Sequence, residues 1–222
     1  MSGGVLAVLG ERRYTVLFAT LLATIAAGPL LSNTRLVGPV LEVFLGLSLI
    51  AAVMPMRKAR DRMLLLAIVL AAVVIRHAPL GGRRESISLV LWSVVALFAA
   101  YRSMRHSLSD LRVNAEHVFA ALNAYLLVGI FGGALCVALE AASPGSLLVQ
   151  GKPLTGDLPM GDAIYFSFVT LATLGYGDIV PATAIARGFA VFEAIAGQFY
   201  LAVLVGRLVG LRTAAETTDV PR

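Results

Sequence analysis

Thr170-Leu171-Ala172-Thr173-Leu174-Gly175-Tyr176-Gly177-Asp178 is the stretch on which the reading of this chain turns. It closes an apolar, helix-like run, Ala163 to Ala172, of about ten residues. That is about half the length a helix needs to cross a bilayer. Gly161-Asp162 precedes the run, and Asp162 is its expected N-cap. Upstream, residues 141–160 are punctuated by Pro144, Gly145, Gly151, Pro153, Gly156 and Pro159, which reads as a loop. A short helix after a loop, then glycine-rich backbone, then another long apolar run, describes a re-entrant segment. Non-helical backbone at membrane depth is tolerated only where it is buried in protein or lines a watery path. That restriction makes this segment the functional candidate.

The rest of the chain supplies the membrane. Of 222 residues, 59% are hydrophobic and 14% charged, against about 25% charged in a soluble domain. The apolar residues fall into six candidate spans: about 14–31, 36–54 (interrupted by Glu42), 63–80 (with Arg76), 86–101 (around Trp92), 116–140 and 183–211. The expected fold class is an all-α membrane protein, with six transmembrane helices plus the re-entrant helix and its loop.

Charge gives the orientation. The net charge of +5 does not point to nucleic acid, because the basic residues sit in short loops beside apolar blocks. Arg12, Arg13, the run Arg57 to Arg62, Arg102, Arg105, Arg112, Arg207 and Arg212 fall on one side of a six-span layout. The positive-inside rule makes that side cytoplasmic, with both termini there. Arg35, Arg76, Arg83, Arg84, Lys152 and Arg187 fall on the other. Arg12 and Arg13 before an apolar run also have the look of a signal peptide. The run is longer than a usual signal core and Ala26-Ala27-Gly28 is a poor cleavage site, so a retained span is expected. Cys136 is alone, so no disulfide forms within one chain. His77, His106 and His117 have no metal-ligand spacing, and no catalytic constellation appears. Neither an enzyme nor a cofactor is expected.

The chemistry of the quoted stretch is that of backbone carbonyls. A cation entering a narrow path must shed its water, and rings of carbonyl oxygens replace that shell. Consecutive carbonyls point the same way only if the backbone alternates in handedness, which glycine permits at Gly175 and Gly177. Thr173 adds a hydroxyl at the inner end. One chain supplies a quarter of each ring, so the mechanism calls for a homotetramer.

The stretch resembles the signature sequence of potassium channels, Thr-x-Gly-Tyr-Gly-Asp, and like that family's pore loop it sits between two spans after a short helix. The resemblance implies a selectivity filter for K+ in which Thr173, Leu174, Gly175 and Tyr176 offer carbonyls and Gly177 completes the outer end. Asp178 would stand at the outer mouth, and Tyr165 and Phe166 would form an aromatic cuff around Tyr176. In the last span, Gly197 would be a gating hinge, with Gln198, Leu201 and Val205 lining a cavity or inner gate. The resemblance covers residues 116–212. Departures from the family pattern are Ala172 for a threonine, Leu174 for a valine, and Val169 where some members carry a buried glutamate.

Other residues carry weaker signals. Glu193 is an acid within the last span and is expected to bond to the short helix at Ser167 or Thr170, steadying the filter. Gly197 reads equally as a packing residue, and Gly129, Gly132 and Gly133 read as packing residues first. Residues 86–101 hold no arginine, so the first four spans are not a voltage sensor of the usual arginine pattern. Residues 102–112 have the spacing of an interfacial helix (Met104, Leu108, Leu111) and equally the polarity of a plain loop. The expected organisation is a four-span membrane domain over 1–112, a pore domain over 113–212 and a short polar tail over 213–222, with no soluble ligand-binding domain. The expected localisation is the plasma membrane, in contact with lipid. Alternatives are a weakly selective cation channel and a non-conducting accessory membrane subunit.

Overall fold

A computed structural model describes residues 12–31, 59–77, 83–108 and 114–218. The elements run α1 (Arg13–Leu31), α2 (Ala59–His77), α3 (Arg83–Ser107), α4 (Ala115–Ala142), β1 (Leu147–Val149), β2 (Lys152–Pro153), α5 (Met160–Leu171), β3 (Ile179–Pro181) and α6 (Ala184–Thr218). The expected span at 36–54, with Glu42, lies outside the described residues. So do the loop residues Gly81 and Gly82, and Arg112.

Among the described residues, two helices are long and apolar enough to cross a membrane: α4, and residues Ala184–Gly210 of α6. α4 starts sharply because Asn114 caps it, its side-chain oxygen accepting from His117 N at 3.1 Å. It ends at Ser143, whose N–H donates to Leu139 O at 2.9 Å. Half of the apolar window of α4 is buried within the chain, but only 11% of that of α6. α4 is therefore the helix around which the described residues pack, and they leave most of the apolar surface of α6 unburied.

α3 lies along α4, α2 along α3, and α1 along α4. Leu17 and Leu21 of α1, Ala99 and Ala100 of α3, and Leu127 and Ile130 of α4 form one buried cluster. Leu65 and Val69 of α2 meet Val95 of α3 in a second. Polar pins fix the register of α1 on α4. Asn123 Nδ2 donates to Tyr14 O at 2.8 Å, and Glu116 accepts from Tyr14 N at 2.9 Å and from the Thr15 hydroxyl.

Several expectations are corrected. The fold is mainly rather than wholly helical, because residues of the 141–160 loop pair with Ile179–Pro181 in a small antiparallel sheet ordered β2-β1-β3. Gln150 and Gly151, both at positive φ (50° and 76°), join β1 to β2 in a two-residue turn. Positive φ at both central positions is what a type I′ hairpin needs. α3 continues past residue 101 to Ser107, so residues 102–107 are its last turns and not a separate interfacial helix. α6 runs to Thr218, beyond the expected start of a polar tail at 213. Asp162 is not the N-cap of α5: Pro159 holds that position and Asp162 lies in the first turn, where its charge favours the helix N-terminus.

α5 docks on a glycine face of α4. A Cβ at Gly129 would lie 2.5 Å from the Phe168 ring, and one at Gly133 would lie 2.8 Å from the Ile164 backbone. Small residues of this kind let membrane helices approach closely. Gly133→Val is expected to cost about 1–3 kcal/mol through overpacking, because backbone cannot swing aside as a side chain does. The check is the thermal midpoint of the purified protein in detergent; an unchanged midpoint contradicts this docking.

Candidate functional site

Docking places the C-terminal end of α5, and the quoted stretch leaves from that end. Ala172 closes the helix, its N–H donating to Phe168 O at 2.9 Å. Thr173 N donates to Thr170 O at 2.9 Å and Leu174 N to Val169 O at 2.8 Å, which curls the chain back beside its own helix.

Handedness then alternates. Thr173, Gly175 and Gly177 have φ of 57°, 57° and 82°, and Leu174 and Tyr176 between them do not share the positive sign. A Cβ at Gly175 or Gly177 would meet nothing within 4 Å. Glycine is therefore needed at these two positions by backbone conformation and not by space. Thr173 adopts the same conformation without that freedom, at a cost of about 1–2 kcal/mol. Sequence reasoning gave Thr173 a hydroxyl and a carbonyl role and missed that the alternation starts there. All six residues from Thr173 to Asp178 are exposed on the single chain.

Both ends of the stretch are tied down. At the inner end, Gln198 Nε2 of α6 donates to Thr173 Oγ1 at 3.2 Å. At the outer end, the Tyr165 hydroxyl donates to Asp178 Oδ2 at 2.8 Å, a bond to the neutral phenol that raises the Tyr165 pKa. Tyr165 also lies parallel to Tyr176, with ring centroids 6.5 Å apart. Phe166 does not join them. It is buried with Cys136, Leu147, Leu158, Ala163 and Ile179, beneath the sheet.

The sheet itself is the outer anchor. β1 pairs with β3 directly after the stretch, matching Leu147 to Pro181, Leu148 to Val180 and Val149 to Ile179. Gln150 N adds a bond to Asp178 O at 2.7 Å. Glu140 holds the turn before β1, its carboxylate accepting from Gly145 N at 2.6 Å and Leu147 N at 2.9 Å. Neither Glu140 nor the strands were anticipated. The available signals were an acid just ahead of Pro144-Gly145 and the run Leu147-Leu148-Val149 before Gln150-Gly151.

Behind the stretch, Glu193 of α6 is 3% exposed and reaches the Ser167 hydroxyl, one of the two partners expected for it. Gly132 makes room, since a Cβ there would lie 2.1 Å from Glu193 Oε1. Gly197 is seated against the end of α5, where a Cβ would lie 2.1 Å from Leu171 O. Leu201 and Val205 are exposed on the unburied surface of α6. Their spacing from Gln198, three and seven residues on, puts all three on one helix face.

Two membrane-length helices, a short helix between them and a left–right alternating loop held at both ends thus make up residues 115–218. Residues 125–212 match the family described as "Ion channel". The relatives that the chain matches are named as potassium channels. A two-pore potassium channel of Oryza sativa subsp. japonica is 38% identical over 93 residues, which is 42% of this chain and 18% of that protein. A putative potassium channel protein of Rhodopseudomonas palustris is 47% identical over 51 residues, 23% of this chain and 12% of the relative. A voltage-gated potassium channel of Aeropyrum pernix is 30% identical over 77 residues, 35% of this chain and 26% of the relative. The similarity thus spans less than a third of each relative's length.

The contact at Gly197 separates its two readings. Gly197→Ala is expected to lower thermal stability by about 1–3 kcal/mol, because the methyl group must push α6 off the Leu171 carbonyl. A variant as stable as the parent protein leaves only the hinge reading for this glycine.

Proposed function

We propose that this chain is one subunit of a homotetrameric, potassium-selective channel that passes K+ down its electrochemical gradient. The observation that carries this reading is the alternation of φ at Thr173, Gly175 and Gly177 within Thr-Leu-Gly-Tyr-Gly-Asp. Alternating handedness turns successive carbonyls to one side, and a side lined by carbonyls substitutes for the water around a cation. Thr173, Leu174, Gly175 and Tyr176 then bind K+, with Gly177 at the outer end. Four chains complete each ring, and the exposure of the whole stretch on a single chain is consistent with that assembly.

The roles of the surrounding residues follow. Asp178, Tyr165 and the β1–β3 ladder hold the outer mouth, and Phe166 supports it from beneath the sheet. Glu193 braces the filter from behind. Gln198, Leu201 and Val205 line the cavity below, into which the C-terminal end of α5 directs its partial negative charge. Gly197 seats α6, and its use as a hinge rests on the family resemblance. The unburied apolar surface of α6 faces other subunits and lipid. α1 is a retained span in this reading, because its polar pins to Glu116 and Asn123 of α4 integrate it with the fold. Loop charge argues for both termini in the cytoplasm, and the membrane proposed is the plasma membrane.

Purified protein in liposomes tests the function. The expected outcome is K+ flux well above Na+ flux, lost in Gly175→Ala, because a methyl group opposes the left-handed conformation. Equal K+ and Na+ flux instead indicates a weakly selective cation channel, and no flux indicates an accessory subunit. A second measurement concerns voltage. A charge crossing the field contributes about 2.3 kcal/mol per 100 mV, and Arg102 and Arg105 sit in the final turns of α3, past the apolar stretch. The conductance–voltage relation in planar bilayers is expected to be shallow, and a steep one contradicts this account of α3.

A further inference from the structure

Ser167 has one hydroxyl hydrogen and two oxygens competing for it. Gly129 O lies 2.7 Å from Ser167 Oγ, and Glu193 Oε1 approaches the same atom. A main-chain carbonyl only accepts, and an ionised carboxylate only accepts. If Ser167 gives its hydrogen to a Glu193 carboxylate, Oγ and Gly129 O confront each other as two acceptors at hydrogen-bond distance. If it gives the hydrogen to Gly129 O, Glu193 must supply the other one. Only the second arrangement satisfies all three oxygens.

The surroundings favour the same assignment. Glu193 is 3% exposed, and its Oε2 is buried with no hydrogen-bond partner. A buried carboxylate with a single hydrogen bond is costly, whereas a neutral carboxyl group with one lone carbonyl oxygen forfeits much less. The α4 side is closed, because a Cβ at Gly132 would lie 2.1 Å from Oε1 and 2.5 Å from Ser167 Oγ. The titratable groups of α4 that interact with Glu193 are Tyr125 and Cys136, and neither is a cation. α5 presents the Ser167 hydroxyl. Glu140 makes the contrast: it is equally buried, but both its oxygens accept main-chain N–H bonds, the arrangement a carboxylate requires.

We infer that Glu193 is a proton-binding site, held as a neutral carboxylic acid that donates to Ser167, which in turn donates to Gly129 O. This relay joins α6, α5 and α4 at one point behind the filter. Removing the proton makes the carboxylate claim the Ser167 hydrogen and leaves Gly129 O facing a lone pair. The seat of α5 on α4 then loosens, and the filter that leaves α5 loosens with it. Glu193 is thus a positioning residue whose effect on conduction depends on alkalinity. The consequence for conduction rests on the channel reading above; the protonation does not.

Infrared spectroscopy of the full chain in lipid reads the proton directly. The carboxylic-acid C=O band is expected at neutral pH in the parent protein and lost in Glu193→Gln, which keeps an N–H donor at the same place. Absence of that band from the parent protein at neutral pH overturns the inference. Liposome K+ flux measured from neutral to alkaline pH gives the second readout. Parent flux is expected to fall as pH rises while that of Glu193→Gln, whatever its size, stays level; an equal alkaline fall in both removes the regulatory half. A band that behaves as expected in a protein without flux supports the proton site and sinks the channel reading instead.

Discussion

Everything in the second half of this chain depends on the docking of one short helix. α5 is 12 residues long, which is marginal for a helix standing alone. It holds its place because Gly129, Gly132 and Gly133 remove three side chains from the facing surface of α4. The close approach this allows brings Ser167 within reach of Gly129 O, puts Phe168 against the helix backbone, and fixes the direction in which the chain leaves at Ala172. A side chain at any of the three positions pushes α5 outward and carries the Thr173–Asp178 stretch with it.

The Thr173–Asp178 stretch has few restraints of its own, so its conformation comes from its ends. Alternating handedness leaves the backbone without a regular hydrogen-bond ladder. The inner end is set by the last turn of α5 and by Gln198 from α6, the outer end by the β1–β3 ladder and by Asp178 with Tyr165 and Gln150. Strain at Thr173 persists because the structure on both sides determines it. The sheet is small, but the pairing of β1 with β3 immediately after Asp178 makes the 141–160 loop part of the frame of the Thr173–Asp178 stretch and not a free surface turn.

Two buried acids divide the remaining work by hydrogen-bond direction. Glu140 receives two N–H groups and stiffens the turn into β1. Glu193 meets only a hydroxyl that is already committed to a carbonyl. The same residue type therefore plays opposite roles, set by whether its surroundings offer donors or acceptors.

The sequence by itself determined the two long apolar helices Ala115–Ala142 and Ala184–Gly210, the short helix between them and the Gly175 and Gly177 requirement. These are local properties, expressed in run length and in the conformational freedom of single residues. It also nominated Ser167 as a partner for Glu193, since an acid in an apolar run must find some polar group. Tertiary structure alone decided the rest. That Gly132 is the gap that admits Glu193, that Gly197 rests on Leu171 O, that Phe166 turns beneath the sheet while Tyr165 reaches Asp178, and that residues 147–149 pair with 179–181 all join positions far apart in the chain. Such pairings are set by which surfaces fit at close range, and no periodicity along the sequence encodes that fit.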